Sequence, residues 1–178
     1  MEILLNSDQM SAGLSEVVGL IVENTPAEVE IGVIGIKSRG EILAQRICRG
    51  LADKLGREID YGELDITLYR DDINCPQGKG QPVVRSTEIN FDIDDKIIIL
   101  VDDVLATGRS TRAALDALVD LGRPKAIRLA VLIDRQGREL PIQADYICYK
   151  VDVSPDKSVE VNLVEIDDID QVIVSKSN

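Results

Sequence analysis

The 178-residue sequence predicts an α/β fold in which a central, mostly parallel sheet is flanked by helices. Nearly continuous apolar segments at 28–36, 97–101 and 126–133 are typical of strands that are buried on both faces. Segments with the apolar spacing of helices follow the first two of these strands. Strands that alternate with helices favour a parallel sheet, because each helix carries the chain back across one face. In such sheets, ligands bind beyond the carboxyl ends of the strands.

The first half of the chain predicts a helix, a strand, a second helix and a further strand. Ser7 can begin the first helix, whose apolar residues share one face and which ends near Asn24. The strand at 28–36 then leads through the turn KSRG into a helix that Gly56 ends. A segment with alternating, β-branched character follows at 59–69 and predicts another strand.

The second half begins with a polar stretch from about residue 70 to 91. A loop of this length inside a compact domain is usually a functional element or disordered. The strand at 97–101 and a helix that Gly122 ends repeat the strand–helix unit. The strand at 126–133 follows, and the sequences DYICY and VEVNLVEI predict later strands. We expect residues 1–178 to form one domain, since the only linker-like segment is the long loop.

The composition excludes several classes of function. The chain has no histidine and its three cysteines lack CxxC spacing, which excludes Cys/His zinc sites and Cys-His or Ser-His nucleophilic pairs. A net charge of −12 argues against nonspecific binding to nucleic acid, although a local basic face is compatible with it. No signal peptide and no long apolar segment is evident, so we expect a cytoplasmic protein with no membrane contact.

The sequence ILVDDVLATGRST predicts a site for a phosphorylated sugar. Asp102 and Asp103 follow an apolar strand and can accept hydrogen bonds from sugar hydroxyls. The backbone amides that open the next helix favour an anion such as phosphate. The acidic pair alone is more often a solvated strand end, and the turn alone is more often a helix cap. The two features in this order favour a binding site. The turn consists of Ala106, Thr107, Gly108, Arg109, Ser110 and Thr111.

Other phosphate motifs do not fit this sequence. It contains neither GxxxxGK[ST] nor GxGxxG, which argues against a P-loop and against a dinucleotide-binding fingerprint. A response-regulator receiver would place its acidic pair after the first strand of the domain, and the hydroxyl-rich turn would have no role there.

The motif ILVDDVLATGRST resembles the phosphoribosyl pyrophosphate (PRPP) signature of type I phosphoribosyltransferases. The segments GIKSRG, GELDITLYRDD, ALVDLGRPKAIRLAVLIDR and RELPIQADYI resemble the PyrR family, whose members regulate pyrimidine operons and act as uracil phosphoribosyltransferases. This resemblance covers most of the chain and is weakest in the first helix and the last residues. It implies the type I phosphoribosyltransferase fold with a flexible hood loop, and synthesis of UMP and pyrophosphate from uracil and PRPP with Mg²⁺.

The same resemblance implies roles for individual residues. Asp102 and Asp103 would bind the ribose hydroxyls, and the turn from Ala106 to Thr111 would bind the 5′-phosphate. Asp134 and Arg135 lie at a strand end. If the family resemblance is set aside, a salt bridge within the loop explains these two residues as well as a role in the site does. The further assignments are Ser38, Arg39 and Arg135 for pyrophosphate, Asp134 for the metal, Tyr69, Arg70, Asp72 and Arg85 for the hood, and Ile133 and Val159 for the base.

The resemblance also bears on the base and on RNA. Relatives that act on purines carry an acidic residue where this chain has Ala106, which is consistent with uracil. PyrR relatives bind messenger RNA when UMP or UTP occupies the site. Here Gly137, Gln143 and Tyr149 replace a histidine, an arginine and a lysine of the RNA-binding face, although Arg138 remains.

We therefore expect catalysis with weakened RNA binding. An mRNA-binding attenuator with little enzymatic role and a phosphoribosyltransferase for another base are the alternatives. The resemblance also implies a homo-oligomer.

Overall fold

The computed structural model describes residues 2–71, 86–154 and 156–176. Within them the strands are β1 (Glu2–Leu5), β2 (Ile31–Ile36), β3 (Asp60–Leu64), β4 (Ile97–Leu105), β5 (Ala126–Arg135), β6 (Tyr146–Val151), β7 (Lys157–Asn162) and β8 (Gln171–Lys176). The α-helices are α1 (Ser7–Asn24), α2 (Gly40–Leu55), α3 (Arg109–Leu121) and α4 (Val164–Asp167), and a 3₁₀ turn spans Thr67–Tyr69. No helix of these three ranges is both long and apolar enough to cross a membrane.

The main sheet has five parallel strands in the order β3-β2-β4-β5-β6, which confirms the predicted fold class. Alternate residues of the central strand β4 face opposite sides, as the two-residue period of a strand requires. Ile99 and Val101 pack with α1 and α2, whereas Ile98 and Leu100 pack with α3. Because both faces are covered, β4 has the continuous apolar sequence from which it was predicted.

The predicted helix ends agree closely with the structure. The cap of α1 is Asn6, one residue before the expected start: its side chain accepts from the Gln9 amide, and the Gln9 side chain accepts from the Asn6 amide, both at 3.0 Å. Gly56 and Gly122 follow the last residues of α2 and α3, as predicted.

A second, antiparallel sheet was not predicted. Its order is β1-β8-β7, and the sequence analysis gave no strand at β1 or β8. The segment VEVNLVEI, predicted as one strand, ends as a strand at Asn162 and continues into α4. The turn closes because Asp167 accepts from the Leu163 amide at 2.9 Å and donates its own amide to the Leu163 carbonyl at 2.7 Å.

The predicted hood, residues 70–91, is too long at its carboxyl end. Glu88 and Glu63 exchange two backbone hydrogen bonds of 2.8 and 2.9 Å, which join residues 86–91 to the edge of β3. The Phe91 ring packs over Gly32 of β2. Apolar residues therefore anchor this end of the loop, although the surrounding sequence is polar. The predicted hood residues Asp72 and Arg85 lie outside the described residues.

Candidate functional site

The acidic pair belongs to the last part of β4, which extends to Leu105 rather than ending at Val101. Asp102 is only 8% exposed; one of its carboxylate oxygens accepts from the Asp103 amide at 3.0 Å. Asp103 in turn accepts from the Val104 amide at 2.8 Å. Burial and the charge of Asp103 hold the pKa of Asp102 well above its usual range. A buried carboxyl group whose pKa is strongly raised by burial and by a neighbouring charge is typical of a functional site.

The hydroxyl-rich turn connects this strand to α3. Gly108 is the residue before the helix and has φ of +89°, in the left-handed region that favours glycine. Thr111 is buried, and the Arg109 amide donates to the Thr107 hydroxyl at 3.3 Å. The first amides of a helix have no acceptor within the helix, so the start of α3 offers donors beside the acidic pair.

The KSRG turn lies against the same strand, because β2 pairs with β4 and Gly35 is opposite Val101. A Cβ atom on Gly40 would be 2.5 Å from the Val101 carbonyl oxygen and 3.2 Å from the Asp102 Cα. The start of α2 is thus in close contact with the acidic pair. The Lys37–Ser38 peptide bond in this turn is cis.

The two cations of the KSRG turn have different surroundings. Lys37 pairs with Glu63 at 3.0 Å and donates to the Ser86 carbonyl at 2.9 Å, so it joins the edge strand β3 to residue 86. Arg39 Nη2 is 3.3 Å from Asp167 Oδ1, and its buried Nε has no hydrogen-bond partner among the described residues. Asp167 is a residue that the sequence analysis missed, since it lies 128 positions away in the chain.

Asp134 and Arg135 end β5, where Asp134 is opposite Leu105 of β4. Asp134 forms an ion pair of 2.5 Å with Arg138, which matches the loop salt bridge that was the alternative. Arg135 donates to the Lys157 carbonyl at 2.9 Å and therefore ties β5 to the small sheet. None of its described contacts reaches the KSRG turn, so its assignment to pyrophosphate stays a prediction.

The predicted hood begins on the outside of α3. The Tyr69 hydroxyl donates to Asp120 at 2.9 Å, and Arg112 donates to the Tyr69 carbonyl at 2.9 Å. Arg109 Nη1 lies 2.5 Å from Asp71. The first hood residues are thus joined to the helix that the predicted phosphate turn opens.

The two predicted base residues lie in different sheets. The Ile133 side chain is fully buried in β5, so only backbone groups near it could contact a base. Val159 lies in β7, opposite Val174 of β8. A cavity of about 550 Å³ lies beyond the carboxyl ends of β5 and β6 and has room for a base. A larger cavity, of about 590 Å³, lies between α1 and α2 and contains none of the predicted site residues.

Comparison with known proteins identifies the family. The profile of the "Phosphoribosyl transferase domain" family matches residues 4–168. The protein named "Bifunctional protein PyrR" in Pelotomaculum thermopropionicum is 47% identical over 171 residues, which cover 96% of this chain and 93% of that relative. The protein of the same name in Alkaliphilus metalliredigens is 47% identical over 177 residues, covering 99% of this chain and 96% of the relative.

Solved structures show the same fold at low sequence identity. The hypoxanthine phosphoribosyltransferase of Trypanosoma cruzi has a TM-score of 0.73 and 17% identity, covering 100% of this chain and 98% of the other. A hypoxanthine-guanine phosphoribosyltransferase of Bacillus anthracis has a TM-score of 0.69 and 18% identity, covering 99% and 98%. Since the fold, the family profile and near-full-length relatives agree with the motif at β4, the chain belongs to the PyrR family of type I phosphoribosyltransferases.

Proposed function

We propose that this phosphoribosyltransferase transfers the phosphoribosyl group of PRPP to uracil, forming UMP and pyrophosphate. The observation that carries the proposal is the acidic pair of the buried Asp102 and the partly exposed Asp103, which lies between a Gly-capped helix start and the KSRG turn. A ribose with a phosphate at one end and a pyrophosphate at the other matches this order of groups. The relatives named bifunctional PyrR support uracil as the base.

The residues of the site would act chiefly by position and charge. In the reaction, the bond from the ribose C1′ to the pyrophosphate oxygen breaks and a bond from C1′ to a uracil nitrogen forms. Positive charge develops on the ribose, and the carboxylates of Asp102 and Asp103, beside its hydroxyls, would stabilise it. Arg39 would bind the leaving pyrophosphate, because a guanidinium can donate two parallel hydrogen bonds to a phosphate group.

The uracil ring nitrogen loses its proton when the new bond forms. Ala106 offers no side-chain base for this proton. Uracil is acidic enough to lose this proton to the leaving pyrophosphate or to water once the ribose becomes electrophilic. The role of the protein in this step is then to orient the two substrates.

Mg²⁺ would enter the site bound to the phosphates of PRPP. The described ranges 2–71, 86–154 and 156–176 contain no group of three or more side chains that could hold a metal. Magnesium is usually bound by substrate phosphates with one or two carboxylates, and Asp134 at the end of β5 is the carboxylate we assign to it. When bound, the ion would neutralise charge on the leaving pyrophosphate.

A panel of bases tests the substrate. We expect pyrophosphate release from PRPP to be fastest with uracil and much slower with cytosine, hypoxanthine and guanine, because a site that pairs with the polar edge of one base rejects others strongly. Release would be followed by a coupled assay at equal base concentrations. Faster turnover with hypoxanthine or guanine would assign the enzyme to purines and overturn the proposal.

The second role that the PyrR resemblance implies is regulation, and here we propose that RNA binding is weak. Tyr149, where relatives carry a lysine, donates its hydroxyl to the Gln9 carbonyl at 2.7 Å and packs on Gly13, so it contributes no charge. Gln143 is exposed but neutral. Self-association and a cytoplasmic location are further proposals that the family supports.

The affinity for pyrimidine leader RNA can be measured by filter binding, with UMP present and at several salt concentrations. We expect weak binding with a shallow salt dependence, because each missing cation removes one counterion-release contribution. The exposed substitution Gln143→Arg should raise both the affinity and the salt slope. Tight, specific and steeply salt-dependent binding by the unmodified protein would instead make it a regulator.

A further inference from the structure

The segment after β5 contacts the predicted phosphate turn at successive positions. Arg138 donates through Nη1 to the Ala106 carbonyl. The amides of the next two residues, Glu139 and Leu140, both donate to the Thr107 carbonyl, at 3.0 and 3.2 Å. We call residues 138–140 the brace. Because the brace binds the outer side of the turn, it is placed to fix the direction of the peptide groups there.

Arg138 holds two groups at once. Its Nη2 is 2.5 Å from Asp134 at the end of β5, while its Nη1 reaches the turn. A guanidinium is a planar fork whose donors keep a fixed relation, whereas a lysine ammonium is a single point charge. Arg138 therefore links the turn to the strand end with a geometry that lysine cannot reproduce.

These contacts determine where the amides of the turn point. In a trans peptide group, the carbonyl and the N–H of the next residue point in opposite directions. The Ala106 carbonyl points to Arg138, so the Thr107 N–H points away from the brace. The Thr107 carbonyl points to the brace amides, so the Gly108 N–H points away as well. Two adjacent donors are thereby directed to the side on which a 5′-phosphate would lie.

We propose that Arg138 is a positioning residue, which holds the Thr107 and Gly108 amides in the direction that binds the 5′-phosphate of PRPP. This proposal rests on the phosphate site of the proposed function and adds a residue that acts on the phosphate through the turn, not by direct contact. Two groups of the protein, the Asp134 carboxylate and the Ala106 carbonyl, already accept hydrogen bonds from the Arg138 guanidinium, whose side chain is 26% exposed.

The test compares Arg138→Gln and Arg138→Lys with Arg128→Gln, a matched control. Arg128 lies in β5, before the segment that contains Arg138, and its half-exposed side chain pairs with Asp145 at 3.4 Å. Its replacement by glutamine changes the net charge by the same amount. Binding of PRPP and of ribose 5-phosphate would be measured by calorimetry, and the KM values for PRPP and for the base by steady-state kinetics.

We expect Arg138→Gln to weaken both phosphate ligands by about tenfold or more, since hydrogen bonds from a charged group are lost and the amides are released. The KM for PRPP should rise and the KM for the base should change little. Arg138→Lys should be intermediate, and Arg128→Gln should bind like the unmodified protein. If Arg138→Gln is too unstable to measure, Arg138→Lys alone decides, because an unchanged ribose 5-phosphate affinity contradicts the proposal.

Other outcomes separate the two proposals. If the unmodified protein binds PRPP but Arg138→Gln binds it as tightly as Arg128→Gln does, the positioning role is wrong and the proposed function stands. If the unmodified protein binds neither PRPP nor ribose 5-phosphate, the proposed function itself fails. An equal rise in both KM values would indicate general damage and would also overturn the positioning role.

Discussion

Changing Asp102 and Asp103 together to Asn should abolish UMP formation while the fold is retained. The amides have nearly the shape of the carboxylates but lack the charge that would stabilise the developing positive charge on the ribose. An amide also presents donors where the ribose hydroxyls need acceptors. The measurements are UMP formation at saturating PRPP and uracil, with circular dichroism for the fold.

The same change should stabilise the protein at neutral pH. The pKa of Asp102 is raised by burial and by Asp103, so ionisation of this group opposes folding. Below the ordinary pKa of Asp, about 3.9, the carboxyl is neutral in both the folded and the unfolded chain and costs nothing. The cost appears as pH rises through the raised folded pKa. The Asn variant should therefore gain stability over the unmodified protein at pH 7 and lose this advantage in acid.

A double variant of α1, Glu16→Gln with Glu23→Gln, controls for the loss of two negative charges. Both side chains are exposed and lie outside the site, so turnover should stay normal and the pH-dependent gain should be absent. Near-normal turnover in the Asp102 and Asp103 double variant would show that the acidic pair does not bind the ribose.

The main sheet could be predicted from the sequence because burial on both faces leaves a continuous apolar pattern in β2, β4 and β5. The small sheet, β1-β8-β7, could not be predicted from the sequence. Strand β1 has only four residues, two of them exposed, and β8 has only three buried residues, Val172–Val174, so each apolar pattern is short. The residues 86–91 were assigned to the hood because the stretch is polar, although Phe91 anchors them.

In the predicted site, too, some features could be predicted from the sequence and others could not. Asp102, Asp103 and the turn at Gly108 are neighbours in the sequence, so their chemistry is visible as a motif. The contacts of Arg39 with Asp167 and of Arg138 with the Ala106 carbonyl join residues 128 and 32 positions apart. Such pairs depend on how the strands are ordered in the sheet, which a single sequence does not specify. The side-chain direction of Lys37 likewise depends on the shape of its turn.

Gly108→Val should abolish tight PRPP binding, because of the backbone conformation at this position. A Cβ atom on Gly108 would be 3.4 Å from Ile142 and 3.5 Å from Leu140, which is ordinary contact, so lack of space is not the cause. The requirement is the φ of +89°, which a β-branched residue avoids by rotating the peptide groups on both sides. That rotation would turn the amides of the phosphate turn away from the ligand.

Gly56→Val is the matched control for this change. Gly56 has φ of +63° at the end of α2, and a Cβ atom there would meet no atom within 4 Å. Both variants should lose roughly 1–2 kcal/mol or more of unfolding free energy, since a side chain in the left-handed region is strained. Only Gly108→Val should weaken PRPP binding, by at least about tenfold, because only its amides would bind the phosphate. Denaturant unfolding and calorimetry with PRPP separate the two effects. If both variants bind PRPP as tightly as the unmodified protein, the 5′-phosphate binds elsewhere, and the amides at the start of α3 have no part in it.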